Sequence, residues 1–241
     1  MMHHLPRRPF PVGLQVEVFA SAPDFLASKR PDIASCLVLA LRERLDRLMG
    51  DLEYTASTDM LTNLPNRRTF EAACNRELER ARRSNTPLSL AIFDLDHFKS
   101  INDRLGHAEG DRALKRFAAI LQEQCRVVDF PARIGGEEFA LVLSNADAEG
   151  ARVFAERFLA RVIDQTKHDV APISVSIGIS EMTDPTDTQD VLLLSADRAL
   201  YEAKNTGRGK VVVATSVPEA RAIHTGQRLE LRHSAPLPPA A

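Results

Sequence analysis

The sequence lacks paired cysteines, long hydrophobic runs and an excess of charge of either sign, and each lack excludes something. Its three cysteines, Cys36, Cys74 and Cys125, are scattered and form no CxxC pair. That pattern excludes a disulfide framework and a cysteine-based zinc site, and it fits a reducing compartment. The longest apolar run, Ile33 to Leu41, is nine residues long and is interrupted by Ser35, whereas a helix needs about 20 to cross a bilayer. Two arginines stand in the opening MMHHLPRRPF, but no apolar signal-peptide core follows them. The formal net charge of -2 excludes nucleic-acid binding by bulk electrostatics. These absences predict a cytoplasmic protein with no membrane span and no nucleic-acid partner. No internal repeat is found.

What is present suits one ordinary domain with a smaller appendage. The chain has 241 residues, 44% of them hydrophobic, enough for a core of useful size. Residues 1–31, with Pro6, Pro9, Pro11, Pro23 and Pro31, read as an irregular lead-in. Residues 32–56 contain no proline. There Val38, Leu41, Leu45, Leu48 and Leu52 alternate spacings of three and four, with charged residues on the other faces. This is a heptad seam, read as a helical, coiled-coil stalk, although a helix packed on its own domain has the same pattern. Residues 57–214 read as a compact α/β unit, and 215–241, ending SAPLPPAA, as a disordered tail.

Within the unit, Leu88 to Asp96 (LSLAIFDLD) predicts a buried strand ending in acid, and a helix is expected over Glu109–Gln124. Pro131 to Leu143 (PARIGGEEFALVL) reads as two strands joined by a tight glycine turn. A helix over Asp147–Gln165, a strand over Ile173–Ser180, a helix over Val191–Lys204 and a strand over Lys210–Ala214 complete the pattern. Alternating helices and strands with one hairpin predict a mixed sheet covered by helices.

Four acids stand out in this framework. Asp94 and Asp96 end an apolar strand, where residues two apart share a face, so both are expected at one site if the strand continues through Asp96. Glu137 and Glu138 follow Gly135 and Gly136 at the hairpin turn, where glycine lets backbone approach a ligand closely. Such oxygens suit magnesium, which is commonly shared with substrate phosphates. Two ions of this kind can clamp an in-line phosphoryl displacement. Taken alone, the same acids are equally explained as solvated turn residues and a strand-end cap.

The order of motifs adds to this reading. DMLTNLPNRR (Asp59 to Arg68), FDLDHFKSINDRLGHAEGD (Phe93 to Asp111), RIGGEEF (Arg133 to Phe139) and ALYEAKNTGRGK (Ala199 to Lys210) together resemble the signatures of the GGDEF family of diguanylate cyclases. The resemblance implies an α/β (α+β) palm-like nucleotidyl cyclase fold. Its central, mostly antiparallel sheet is flanked by helices and preceded by the N-terminal helical stalk. It also implies that two GTP are joined into cyclic di-GMP with release of two pyrophosphates, using Mg2+, with Mn2+ as the alternative ion.

Carried across position by position, Asp94, Glu137 and the backbone carbonyl of Leu95 are the implied metal ligands. Glu137 is also the implied catalytic residue that helps deprotonate the ribose 3′-hydroxyl. Asn102, His107 and Asp111 are implied around the guanine and its ribose. Lys99, Lys204 and Arg208 are implied phosphate contacts, with Arg67 and Arg68 as weaker candidates. Asp96 is expected to be structural, and Phe98, Ile101 and Leu105 to belong to the core. In the last motif Gly209 stands where the family often has asparagine, so a backbone role survives there and a side-chain amide role does not.

Arg126 and Asp129, in RVVD shortly before the GGEEF turn, match the family's RxxD inhibitory product site, and Arg157 resembles its third member. A planar guanidinium suits phosphate and guanine alike, although an RxxD pattern also arises as a simple ion pair. The family reading further implies a homodimer, since each domain holds one GTP. No sensor domain is recognisable in the stalk region, which points to a regulatory protein acting there. The alternatives from other classes are a catalytically silent receptor for cyclic di-GMP and a stalk-based scaffold.

Overall fold

The most apolar strand of the sequence lies at the centre of the sheet. In the computed structural model, residues 42, 44–48 and 56–215 are described. The chain divides into two units, 1–54 and 55–241. Of the first, Arg42 and residues 44–48 are helical and Leu45 and Leu48 are exposed. The rest of the expected stalk, the lead-in and all of the expected tail except Thr215 lie outside the described residues. Among the described residues no helix is long and apolar enough to cross a membrane.

The second unit runs α1 (Arg67–Ser84), β1 (Leu88–Leu95), α2 (Phe98–Leu105), α3 (His107–Gln124), β2 (Phe130–Arg133) and β3 (Glu138–Ser144). It continues with α4 (Ala148–Thr166), β4 (Val175–Glu181), α5 (Gln189–Asn205) and β5 (Val211–Val213). The strands form one sheet in the order β2-β3-β1-β4-β5. All pairs are antiparallel except β4 with β5. Each strand and helix expected from Leu88 to Ala214 is present, with its ends within two residues.

Two helices escaped the sequence reading. The stripe of α1 is Phe70, Ala73, Cys74, Leu78 and Ala81, whose small residues are hard to see among nine charged neighbours. The eight-residue α2 is too short to show a period. It starts after His97 at φ 57° and stops at Gly106, whose φ of 84° prevents it from fusing with α3.

Alternation along β1 makes two cores, since successive side chains point to opposite faces. Ala91, Phe93 and Leu95 face α3 and α4, where Phe117 packs against Phe93, Phe139 and Phe158 at centroid distances of 6.1, 4.6 and 5.4 Å. Leu88, Leu90 and Ile92 face α1 and α5. Of the expected core residues, Phe98 is buried and Ile101 is partly buried against the aromatic cluster. Leu105 is instead 42% exposed, at the last turn of α2.

On the α5 face the packing is close enough to require a glycine. A Cβ on Gly178 of β4 would lie 2.1 Å from the carbonyl oxygen of Ala196 and 2.3 Å from the amide nitrogen of Leu200. Both are helix backbone, which cannot yield as a flexible side chain would.

The segment before α1 is fastened to the hairpin. Asp59 Oδ1 accepts hydrogen bonds from the Thr62 amide (2.9 Å), the Thr62 hydroxyl (2.6 Å) and Arg133 Nη1 (2.9 Å). Arg133 also donates from Nη2 to the carbonyl of Gly136 (2.7 Å) and from its backbone to Pro65 (2.9 Å). Burial pushes the Asp59 carboxyl up, but the bonds from Thr62 and Arg133 outweigh this and hold it below the usual carboxylate range.

Two outcomes follow from this packing. Gly178→Ala is expected to cost about 1–3 kcal/mol or more, read as a lower urea midpoint at unchanged slope. Asp59→Asn is expected to destabilise the domain at neutral pH by about 1–3 kcal/mol. Because the folded pKa of Asp59 is depressed, its contribution is complete above the ordinary aspartate value of about 3.9 and is lost as pH falls through the lower folded value. The gap between wild type and variant in urea titrations is therefore constant near neutrality and closes below about pH 4.

Candidate active site

The acidic end of β1 meets the glycine turn. The turn between β2 and β3 is closed by bonds from the Ile134 amide (3.0 Å) and the Gly135 amide (3.3 Å) to the carbonyl of Glu138. A Cβ on Gly135 would lie 2.4 Å from Glu138 Oε2, so glycine there leaves room for the glutamate. The Leu95 amide donates to the Glu137 carbonyl at 3.3 Å, and Asp94 stands opposite Glu138 in the antiparallel register. Asp94, Leu95, Glu137 and Glu138 are thereby brought to one sheet end.

Asp94 is only 5% exposed, and Lys204 of α5 pairs with its Oδ2 at 2.7 Å. Burial raises the Asp94 carboxyl. Lys204 counteracts this through its hydrogen bond and charge, while Glu138 and Asp96 add repulsion, and the net direction is upward. Among the described residues no three His, Cys, Asp or Glu side chains are gathered as a ready metal cluster. A divalent ion here would draw on Asp94, Glu137, the Leu95 carbonyl and substrate oxygens. That all-oxygen donor set fits magnesium. Lys204, expected at phosphate, meets Asp94 here.

Asp96 does not join Asp94. β1 ends at Leu95 and the chain turns, which corrects the expectation that both aspartates share a strand face. The Asp96 carboxylate accepts from the hydroxyls of Ser174 (2.6 Å) and Ser176 (2.7 Å) and from the Gly209 amide (3.0 Å). Its own amide donates to the Ser174 carbonyl at 2.8 Å. Gly209 therefore plays a backbone part. Its φ is 57°, and a Cβ would come within 3.3 Å of Ser174 Oγ. The same anchor holds exposed Arg208 in the left-handed region at φ 61°.

The expected base-contacting residues flank the α2–α3 junction. Asn102 of α2 is half-buried, its carbonyl accepting from the Gly106 amide at 2.9 Å. His107 opens α3, and Asp111 follows one turn later; both are exposed, as is Lys99 on α2. Arg67 is paired with Glu71 at 3.1 Å and Arg68 donates to the Ala56 carbonyl at 3.0 Å, so both are engaged within their own segment rather than at the acids.

Sequence reasoning missed Ser174 and Ser176, which belonged to a strand read only for its alternation.

The second candidate set lies elsewhere. Asp129 is buried; its Oδ2 accepts from the Arg126 backbone amide at 2.8 Å, and its Oδ1 is buried with no hydrogen-bond partner. Burial drives the Asp129 carboxyl up, partly opposed by the Arg126 amide bond and charge. The side chain of Arg126 is exposed, and that of Arg157 lies 5.7 Å over the Phe154 ring. Among the described residues no hydrogen bond or ion pair joins Arg157 to Arg126 or Asp129.

Comparison with known proteins agrees with this geometry. The chain is 38% identical over 169 residues to the diguanylate cyclase DgcP of Pseudomonas aeruginosa, covering 69% of this chain and 25% of DgcP. A crystal structure of the coiled coil and GGDEF domain of DgcB from Caulobacter crescentus, in complex with c-di-GMP, matches with a TM-score of 0.71 and 30% identity. It covers 76% of this chain and 98% of that one. The diguanylate cyclase SiaD of Pseudomonas aeruginosa, solved with its activator SiaC, matches with a TM-score of 0.64 and 31% identity, over 76% and 71% of the two chains. The chain spans less than half the length of the first curated relatives it matches. The family model "Diguanylate cyclase, GGDEF domain" matches residues 56–210. With its mostly antiparallel sheet and its GGEEF turn set against the acidic end of β1, this chain belongs to the GGDEF family of diguanylate cyclase domains.

Proposed function

We propose that this protein is a diguanylate cyclase that condenses two GTP into cyclic di-GMP and two pyrophosphates. The observation that carries the reading is the buried Asp94, with an ammonium at 2.7 Å and the Glu137 backbone bonded to Leu95, at the sheet end of a GGDEF domain. In each of two steps a ribose 3′-oxygen forms a bond to an α-phosphorus, and the bond from that phosphorus to pyrophosphate breaks. The 3′-proton leaves with the help of Glu137.

Asp94, Glu137 and the Leu95 carbonyl would hold magnesium or manganese, which supplies charge neutralisation at the phosphates and a more acidic 3′-hydroxyl. Lys99, Lys204 and Arg208 balance the triphosphate. For Lys204 this requires sharing its ammonium between Asp94 and phosphate. Asn102, His107 and Asp111 surround the guanine and ribose; acceptors facing N1–H and N2–H of guanine would be left unpaired by adenine, a strong basis for discrimination.

One domain carries one nucleotide, so the reaction needs two copies face to face, and the heptad seam of residues 32–56 would set that pairing. A regulatory protein acting on this segment is in keeping with SiaD, which was solved with an activator. The free thiols Cys74 and Cys125 suit a cytoplasmic setting.

Arg126, Asp129 and Arg157 form the proposed product brake. The unpartnered Oδ1 of buried Asp129 supports it, because an orphaned buried acceptor favours a ligand that donates to it, as guanine does. The same observation supports the second reading, a receptor that binds cyclic di-GMP without making it.

Product analysis by chromatography and mass separates the two. Wild type stripped of bound nucleotide and given magnesium and GTP is expected to yield cyclic di-GMP, with Glu137→Ala reduced by about 100-fold or more. Binding of cyclic di-GMP with no product from the wild type overturns the cyclase reading. For the brake, Arg126→Ala is expected to raise the cyclic di-GMP concentration giving half inhibition by about 10-fold or more. Unchanged inhibition in that variant overturns the assignment.

A further inference from the structure

We propose that Gly110 is a specificity-determining positioning residue: its missing side chain creates the space in which Asn102 is held to read the purine of the nucleotide. This rests on the reading of Asn102 as a base contact. Gly110 is buried and occupies the fourth position of α3, where its φ is not in the left-handed region. Backbone conformation therefore does not call for glycine. In a helix interior, alanine is favoured over glycine by about 1 kcal/mol, so the helix itself is weakened by it.

The reason for glycine is space. A Cβ there would lie 2.0 Å from Asn102 Oδ1, 3.0 Å from Asn102 Cγ and 3.1 Å from Phe98 Cζ. Phe98 is buried in the aromatic cluster and has little room to retreat. The Asn102 backbone is fixed on the other side by the Gly106 amide, 2.9 Å from its carbonyl. The group that must yield to a methyl is therefore the Asn102 side-chain amide, which would rotate away from α3. Asn102 and Gly110 lie on two helices separated by the Gly106 break, so the amide is set by the junction of α2 and α3 and not by its own rotamer preference alone.

An asparagine oxygen accepts a hydrogen bond from the exocyclic N2 amine of guanine, which hypoxanthine lacks. Discrimination between these bases thus reports on the acceptor that faces N2, the role read here for the Asn102 amide. The probes are 3′-deoxy-GTP and 3′-deoxy-ITP, which carry no 3′-hydroxyl and so measure affinity whether or not the protein turns over. Calorimetry with magnesium on the full chain gives the ratio of the two affinities for wild type, Asn102→Ala, Gly110→Ala and the double variant.

The expected result is that Asn102→Ala and Gly110→Ala each lower the preference for the guanine nucleotide by about 10-fold. In the double variant Gly110→Ala adds no further loss, since the amide it would displace is then absent; full non-additivity is the mark of one shared group. Thermal melting is expected to leave Gly110→Ala as stable as wild type within a few degrees. Should it melt lower, the double variant, in which the clash with Asn102 is absent, still reports the coupling.

If Asn102→Ala lowers the preference and Gly110→Ala leaves it intact, the inference about Gly110 is overturned while the reading of Asn102 stands. If Asn102→Ala leaves the preference intact, the base-contact reading falls and takes the inference with it. Additive losses in the double variant also overturn it. Neither outcome depends on cyclic di-GMP being formed, so a failure of the cyclase reading is detected separately.

Discussion

The site depends on the carboxylate of Asp96, which is buried and accepts three hydrogen bonds from three residues at two distant places in the chain. Two are serine hydroxyls at the start of β4 and the third is the amide of Gly209 beyond α5. A buried charge is costly unless it is fully bonded, so these donors have little freedom to move away. The end of β1, the start of β4 and the loop carrying Arg208 are in this way fixed relative to one another. The neighbouring Asp94 is left to face Lys204 and the glycine turn.

A second constraint comes from the unequal faces of the sheet. The face toward α3 and α4 is filled by interlocked phenylalanines. On the other, Gly178 admits the backbone of α5 almost to contact. That close approach accompanies the reach of Lys204, at the end of α5, to Asp94. Where an aromatic core holds helices off, a lysine at the same helical position would end farther from the strand. The choice of small residues on one face is therefore part of the electrostatics of the site.

The hairpin turn is braced from outside as well. Arg133 links the Asp59 turn to the carbonyl of Gly136, one residue before Glu137. Asp59 lies near the start of the second unit, which begins at Thr55, so an early element of this unit is bonded to the glycine turn. The Asp59–Arg133 pair in this chain of bonds is charge-assisted and partly buried, which strengthens it.

Much of the fold was legible in the sequence because it follows from local pattern. The continuous apolar run of β1, the strict alternation of β4 and the glycine turn each reflect a period or a backbone requirement that acts over a few residues. The α1 helix was hidden because alanine and cysteine formed its buried stripe, and α2 because a left-handed His97 and Gly106 cut it too short to show a period. Leu105 was misread as core since hydrophobicity does not say whether a helix end is covered. In the site, the motifs marked Asp94 and the GGEEF turn, but strand alternation gave Asp96 the wrong partners: the strand stops one residue before it.

The sequence by itself determined the family, the strand that carries the acid and the turn that carries the glutamates, since these are encoded by contiguous residues. Only the tertiary structure decided that Lys204 meets Asp94, that Asp96 binds Ser174, Ser176 and Gly209, and that Gly110 yields its space to Asn102. Those partners are 8 to 113 residues apart. Their contacts depend on how helices seat on the sheet and against each other, which no local period records.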